Sequence, residues 1–158
     1  MIDPELPVEK IVSGGQTGAD RAALEWAIEF AIPHGGWCPR GRRAEDGPID
    51  PWFELEETET DAYPVRTKLN VRDSDGTVII TLAEELQGGS KLTAEFAHQL
   101  EKPCLHISKA SMDDPEMALR RFVSENAVHV LNVAGPRAST EFGIGEFVAQ
   151  VLSDALLV

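Results

Sequence analysis

Short apolar runs alternate along this chain with segments whose apolar residues recur every three or four positions. Residues 77–82 (TVIITL) are typical of a buried strand, and Leu92, Phe96 and Leu100 form the apolar stripe of a helix that follows it. Strands that alternate with helices form βαβ units, in which the sheet is parallel. The pattern therefore predicts an α/β fold, a three-layer open sheet of about five mainly parallel strands flanked by helices.

The same patterns give approximate bounds for each element. We expect strands at residues 10–13, 77–82, 103–107 and 128–133, and a short second strand around Trp37 and Cys38. Further helices are expected at residues 19–32, 66–72 and 114–125 and from about Thr140 onward. Periodicity does not reveal the strand order. Our hypothesis is 2-1-3-4-5, which puts strands one and three side by side at a topological switch point, where ligands bind in open α/β sheets.

Length and composition fit one globular domain over residues 1–158, with 42% hydrophobic and 26% charged residues. The net charge of -13 argues against binding to nucleic acid or to an anionic membrane surface, because both attract clustered positive charge. No apolar run has the ~18 residues of a membrane span, and the first residues lack signal-peptide features, so we expect a cytoplasmic protein. Residues 39–64 are irregular, and a connection of that length is usually functional or mobile.

Three unusual loops follow strands one, three and five. Their sequences are GGQTGAD, LAEELQGGSKLTAE and NVAGPRASTE. Parallel strands end at one edge of a sheet, so these loops meet there. Glycine permits close approach of a ligand, and helix N-termini favour anions. We therefore predict a phosphate-type site, in which Gly15 or Gly18 has positive φ or lies against the ligand. The alternative is ordinary capping, with Thr17 and Asp20 as a capping box and Ser90 and Ser139 as N-caps.

The glycine loops do not match the common nucleotide-binding motifs. A GxxxxGK[ST] loop needs a lysine where Ala19 stands, and the GxGxxG spacing is absent. The chain has no GxSxG motif. Two cysteines, Cys38 and Cys104, provide no disulfide framework, and four scattered histidines indicate no metal site.

Basic residues lie near the glycine loops despite the acidic composition. Guanidinium groups match phosphate geometry, and Arg40 is our candidate for a phosphate contact. The alternative for any one of them is an exposed ion pair with a nearby carboxylate. The three groups are Arg40, Arg42 and Arg43; Arg66, Lys68 and Arg72; and Arg21, Lys91 and Arg137.

Four segments in order, SGGQTGADRAAL, WCPRGRRAEDGPI, RTKLNVRDSDGTVI and GGSKLTAEFA, resemble the molybdenum carrier family. That family belongs to the SLOG superfamily, which also contains LOG-type phosphoribohydrolases and YpsA-like proteins. The resemblance runs from about Lys10 to the final helix and implies a Rossmann-like sheet. It implies a phosphorylated ligand, nucleotide-like or pterin-like as in molybdenum cofactor, between two loops. The contacts would be Gly14, Gly15, Gln16, Thr17 and Gly18 on one side and Gly88, Gly89, Ser90 and Thr93 on the other.

An enzymatic alternative comes from the LOG-type motif PGGxGTxxE, in which the glutamate assists cleavage of the N-glycosidic bond. Glu95 stands at the matching distance, and Arg72 would orient the phosphate of a nucleoside monophosphate. The match is incomplete, because Gln87 and Lys91 replace the proline and third glycine. A purely structural or interaction domain is the third possibility. We also expect a homo-oligomer, because Gly143 and Gly145 in the last helix would permit close approach of another backbone.

Overall fold

The computed structural model describes all of residues 1–158. Its central sheet has five parallel strands, β1 (Lys10–Val12), β2 (His34–Gly35), β5 (Gly76–Thr81), β6 (Cys104–Ser108) and β7 (Val130–Ala134). Two further strands, β3 (Trp37–Cys38) and β4 (Glu56–Glu57), form a separate parallel pair. Five helices flank the sheet: α1 (Ala19–Glu29), α2 (Tyr63–Arg72), α3 (Gly88–Gln99), α4 (Pro115–Glu125) and α5 (Ile144–Leu156). The predicted α/β architecture is confirmed.

The strand order differs from our hypothesis. Across the sheet the order is β2-β1-β7-β5-β6, so the last strand lies between the first and third main strands. Leu131 pairs with Ile11 on one side and with Gly76 on the other. When only the five strands of the central sheet are numbered in chain order, the order across the sheet is 2-1-5-3-4. The hypothesis 2-1-3-4-5 is therefore wrong.

The observed order has a simple relation to the Rossmann fold. If β7 and α5 preceded β1 in the chain, the same sheet would be numbered 3-2-1-4-5, as in a Rossmann fold. The two ends of the chain are adjacent, since Ile2 and Leu157 form an antiparallel bridge. The fold is thus a Rossmann-like sheet whose first strand–helix unit stands last in the sequence.

The helices form two layers over a buried sheet. Helix α5 packs against α1 and α4, and α2 packs against α3. Every residue of β5 is buried, as expected for a parallel strand with both faces covered. The main core joins apolar residues of β1, β5, β6 and β7 to α1, α4 and α5. None of the helices is long and apolar enough to cross a membrane.

Residues 39–62 contain the short turn of 3-10 helix Arg40–Arg42 and strand β4 but are otherwise irregular, and α2 begins at Tyr63. The segment has its own small core, in which Ile49 and Phe53 pack with Leu24 of α1. The guanidinium of Arg42 donates hydrogen bonds to three backbone carbonyls, those of Ile49, Asp50 and Phe53. The segment is therefore fastened to the domain at its centre.

Several predicted element bounds need correction. The second strand of the central sheet is His34–Gly35, whereas Trp37 and Cys38 pair with β4. Helix α5 begins at Ile144 rather than near Thr140. Gly143 is its N-cap in the left-handed conformation and lies outside the helix.

Gly145 is explained within the chain. A Cβ atom at Gly145 would lie 3.4 Å from the Cβ atom of Ala22, so the glycine permits close contact between α5 and α1. The feature that prompted our expectation of a homo-oligomer is therefore used for packing inside one chain.

Candidate functional site

A cleft of about 520 Å³ opens where the loops after β1, β7 and β5 meet. Only two of its 19 lining residues are hydrophobic, so the cleft is shaped for a polar ligand. Asp20, Arg66 and Arg137 are its only charged lining residues, which gives the lining one net positive charge in a chain of net charge -13. The other lining residues are Gly14, Gln16, Thr67, Asn70, Gln87, Gly88, Gly89, Ser90, Thr93, Asn132, Val133, Ala134, Gly135, Pro136, Ser139 and Thr140.

Gln16 lines the cleft and has a buried side-chain donor without a hydrogen-bond partner. Its side-chain oxygen accepts from the backbone N–H groups of Thr17 and Glu45, both at 3.0 Å. Two N–H donors require an oxygen acceptor, which fixes the orientation of the amide. The Nε2 atom is buried and has no hydrogen-bond partner, and Gln16 as a whole is only 5% exposed. A buried donor without an acceptor is costly, so an acceptor from a ligand would stabilise it.

The N-terminus of α3 contributes further free donors. Gln87 is the N-cap and makes no side-chain capping bond. Its carbonyl accepts from the N–H groups of Ser90 and Lys91, whereas those of Gly88 and Gly89 make no hydrogen bond. A Cβ atom at either glycine would meet nothing within 4 Å. Free N–H groups at a helix N-terminus favour an anion.

Arg66 forms the opposite wall of the cleft. Its Nη1 atom donates to the carboxylate of Asp20 at 2.8 Å, and the two side chains are 12% and 7% exposed. The guanidinium lies against the backbone of Gly14, where a Cβ atom would be 1.7 Å from Nη1. The buried Nε atom of Arg66 has no partner. Gly14 thus makes room for a guanidinium of this protein in the wall of the cleft.

Arg137, in the loop after β7, lines the cleft without any side-chain hydrogen bond or ion pair. Its guanidinium carbon lies 5.3 Å from the centre of the Tyr63 ring, which Arg66 also approaches, at 5.5 Å. Stacking on an aromatic ring holds a guanidinium in place while its N–H groups stay available.

The first glycine loop is closed by the loop after β7. Gly15 and Gly18 have φ of 79° and 81°, as predicted. Neither glycine lines the cleft. Cβ atoms would lie 2.8 Å from Ile49 Cδ1 at Gly15 and 2.6 Å from the carbonyl oxygen of Pro136 at Gly18. That same carbonyl accepts from the N–H of Ala19. The Ala19 N–H is therefore paired within the protein, and protein atoms lie against both glycines.

The predicted capping residues act elsewhere. Thr17 Oγ1 donates to the carboxylate of Glu45, and Ser139 Oγ donates to the same carboxylate at 2.5 Å. Hydrogen bonds from Ser139 and Thr17 hold the pKa of Glu45 below its ordinary value, and nearby Arg137 adds to this. Ser90 lies inside α3, after its N-cap. The capping interpretation is wrong, and Glu45 joins the first loop to the loop after β7.

The remaining predicted site residues lie in different places. Gly14, Gln16, Gly88, Gly89, Ser90 and Thr93 share the cleft. The exposed Arg40 does not line it. Arg72 is exposed and bonded to Asp73, and Glu95 is exposed on α3; neither lines the cleft. Residues that our prediction omitted from the site include Asp20, Arg66, Asn132 and Arg137.

No group of three or more His, Cys, Asp or Glu side chains is arranged to hold a metal ion. Cys38 is buried, and burial raises the pKa of its thiol. Donors in the cleft are N–H groups and guanidinium groups, so the cleft suits an anion rather than a bare cation.

The sheet order and the loops agree with a comparison against protein families. Residues 11–156 match the family described as "Circularly permutated YpsA SLOG family". The chain belongs to this family. The word "permutated" in this description agrees with the sheet, in which the β7–α5 unit is placed last in the sequence.

A solved structure is also similar to this member of the permutated YpsA SLOG family. It is the crystal structure of "Putative molybdenum carrier protein" from Syntrophus aciditrophicus SB, with 44% sequence identity and a TM-score of 0.92. The match covers 97% of each chain. Curated protein sequences give no significant match. The family resemblance seen in the sequence is confirmed.

Proposed function

We propose that this protein binds a phosphorylated small molecule, nucleotide-like or pterin-like, in the cleft and acts as its carrier or sensor in the cytoplasm. The observation that carries the proposal is a polar cleft that contains the unbonded N–H groups of Gly88 and Gly89 together with the unpaired guanidinium of Arg137. Such donors match the several acceptor oxygens of a phosphate. The cleft volume lies within the range of about 300–1,000 Å³ that is common for small-molecule sites.

Molybdenum cofactor is one ligand that fits these residues. The solved structure at 44% identity is named as a molybdenum carrier, and the cofactor combines a pterin with a phosphate. Gly88 and Gly89 would hold the phosphate, and the remaining polar lining would contact the pterin. The bound cofactor would bring its redox-active molybdenum, whereas the contribution of this chain would be to bind and shield the molecule.

No specific observation favours the phosphoribohydrolase alternative. Glu95 and Arg72, the two residues assigned to that reaction, lie outside the cleft. Asp20 is the only carboxylate in the lining, and it is already bonded to Arg66. Binding without hydrolysis is therefore the function that the site supports best.

Isothermal titration calorimetry of purified protein with adenosine 5′-monophosphate, molybdate and molybdenum cofactor tests this function. We expect saturable binding of at least one phosphorylated compound. We expect Arg137→Ala to weaken it by about tenfold, the loss of one charge-assisted contact. Arg121→Ala is the matched control, because Arg121 is 66% exposed on α4 and outside the cleft.

Lack of binding by every compound, with the fold verified by circular dichroism, would contradict the proposal. Release of free adenine from the monophosphate by wild type, and its loss in Glu95→Gln, would favour the hydrolase instead. An equal loss of affinity in Arg121→Ala and Arg137→Ala would show that only the overall charge matters.

A further inference from the structure

Tyr63, the first residue of α2, lies among three arginines. The guanidinium carbons of Arg43, Arg137 and Arg66 are 4.5, 5.3 and 5.5 Å from the centre of its ring. The three residues come from three separate parts of the chain, namely the irregular segment, α2 and the loop after β7. The fold therefore brings three positive charges to one half-buried aromatic side chain.

Two of these charges are not neutralised by a carboxylate. Arg43 donates only to the backbone carbonyl of Asp61, and Arg137 makes no side-chain hydrogen bond. Glu45 is near Arg137, but its hydrogen bonds go to Thr17 and Ser139. The chain has 27 acidic residues, so this lack of pairing is a local arrangement and not a shortage of carboxylates. The guanidiniums repel one another, and this repulsion is unfavourable. Physiological salt largely screens charges only when they are more than about 8 Å apart.

Arg43 and Tyr63 lie outside the cleft lining, whereas Arg66, Arg137 and the free N–H groups of α3 lie within it. The arginines around Tyr63 therefore continue the positive charge of the cleft beyond its lining. An anion held at Gly88 and Gly89 leaves the charge of Arg43 unpaired.

We infer that the arginines around Tyr63 form a second anion subsite, and that the ligand carries two separate anionic groups. This inference rests on the proposed function: one group binds at Gly88 and Gly89, and the other binds at Arg43 and Arg137. The ligand class is therefore a small molecule with a phosphate at one end and a second phosphate or oxyanion beyond a sugar or ring system.

The first test is NMR of wild-type protein titrated with inorganic phosphate, with sodium chloride at matched ionic strength as the control. Arginine side-chain Nε–Hε signals report the new subsite, and the backbone amides of Gly88 and Gly89 report the proposed phosphate site. Arg43→Ala and Arg137→Ala identify the arginine signals. We expect both sets to shift saturably with phosphate and not with chloride.

This experiment can contradict the second subsite and the phosphate site at α3 independently of each other. Response of the glycine amides alone would overturn the second subsite and leave the proposed function intact. Response of the arginine signals alone would support the subsite and contradict the phosphate site at α3. Arginine shifts that phosphate and chloride produce equally would overturn the inference.

The second test compares adenosine 5′-monophosphate with adenosine 3′,5′-bisphosphate by calorimetry. We expect the bisphosphate to bind at least about tenfold more tightly to wild type. Arg43→Ala should reduce that preference, because Arg43 lies outside the cleft lining, and Arg121→Ala should preserve it. The Arg43→Ala variant should fold, because the Arg43 side chain is not bonded to a carboxylate. Equal affinity of wild type for the two nucleotides would overturn the two-anion ligand.

Discussion

The Nη1 atom of Arg66 occupies the position beside Gly14 that a Cβ atom would need, at a separation of only 1.7 Å. From there it donates to Asp20 at 2.8 Å. The absence of one side chain at residue 14 thus places a guanidinium in the wall of the cleft.

Gly14→Ala should displace Arg66 while leaving the backbone turn possible, because Gly14 is not among the residues with positive φ. We expect a loss of about 1–3 kcal/mol in the free energy of unfolding, since the buried Asp20 carboxylate loses its partner. Ligand affinity should fall about tenfold or more. Urea denaturation and calorimetry measure the two effects. A variant as stable as wild type would show that the contact between Arg66 and Gly14 is unimportant.

Gly18→Ala should destabilise the fold through two causes that a control can separate. Gly18 and Gly41 have nearly the same φ, 81° and 79°, but only Gly18 has backbone atoms close to the Cβ position. Gly41→Ala therefore measures the conformational cost alone, of order 1 kcal/mol. Gly18→Ala should cost at least ~1 kcal/mol more, because the loop after β7 must move. Equal urea midpoints for the two variants would contradict the closed arrangement of these loops.

Gly89→Ala should weaken ligand binding without destabilising the fold, whereas Gly18→Ala should destabilise the fold. Its Cβ atom would project into open space at the N-terminus of α3, so the fold should keep its melting temperature or gain up to about 1 kcal/mol from helix propensity. The methyl group would stand beside the free N–H groups and should weaken binding of adenosine 5′-monophosphate. Thermal unfolding with and without this nucleotide measures both quantities. Unchanged binding would place the phosphate away from α3.

The attachment of the first glycine loop to the loop after β7 should depend on pH, because both loops bond to the carboxylate of Glu45. Hydrogen bonds from Ser139 and Thr17 lower its pKa in the folded protein below 4.5, the ordinary value. A carboxylate whose pKa is lowered by folding stabilises the folded protein, and this contribution is fully present when the pH is above the ordinary pKa. The contribution is lost as the pH falls through the pKa of the folded state. Wild type should therefore melt higher than Glu45→Gln at pH 6, and the difference should shrink as the pH falls below the ordinary value of 4.5.

A control for this prediction is Glu59→Gln, which removes an exposed carboxylate from the same irregular segment. Other carboxylates with lowered pKa values, such as Asp3 and Asp46, remain in every variant and cancel in the comparison. A difference between wild type and Glu45→Gln that is independent of pH would contradict the role of the carboxylate charge.

Local patterns were enough to predict the elements but not their arrangement. Strand β5 could be predicted because its run of β-branched residues is buried on both faces. The position of β7 could not, because its pairing is long-range: Ser13 Oγ donates to the carbonyl of Val133 across 120 residues. No periodicity encodes such a contact, and the strand order was therefore wrong.

The residues of the cleft also include some that the sequence could suggest and others that it could not. Gln16 and the glycines of α3 stand in recognisable loops, so the sequence was sufficient to suggest them. Arg66 stands within a helix, and its importance depends on Gly14 and Asp20, which are distant in sequence. The sequence could not show that protein atoms lie against Gly15 and Gly18, because a glycine with positive φ looks the same in sequence whether a ligand or protein lies against it.

The central position of β7 also has a consequence for how the protein is made. Ribosomes synthesise the middle of this sheet last, so β1 with β2 and β5 with β6 first exist as two separate pairs, each with an open strand edge. Open edges favour association between chains, and closing a contact over such a long stretch of chain is slow. The loops that form the cleft meet only when β7 fills the gap between them. A nascent chain therefore has no cleft to load, and capture of a ligand would mark completion of the fold.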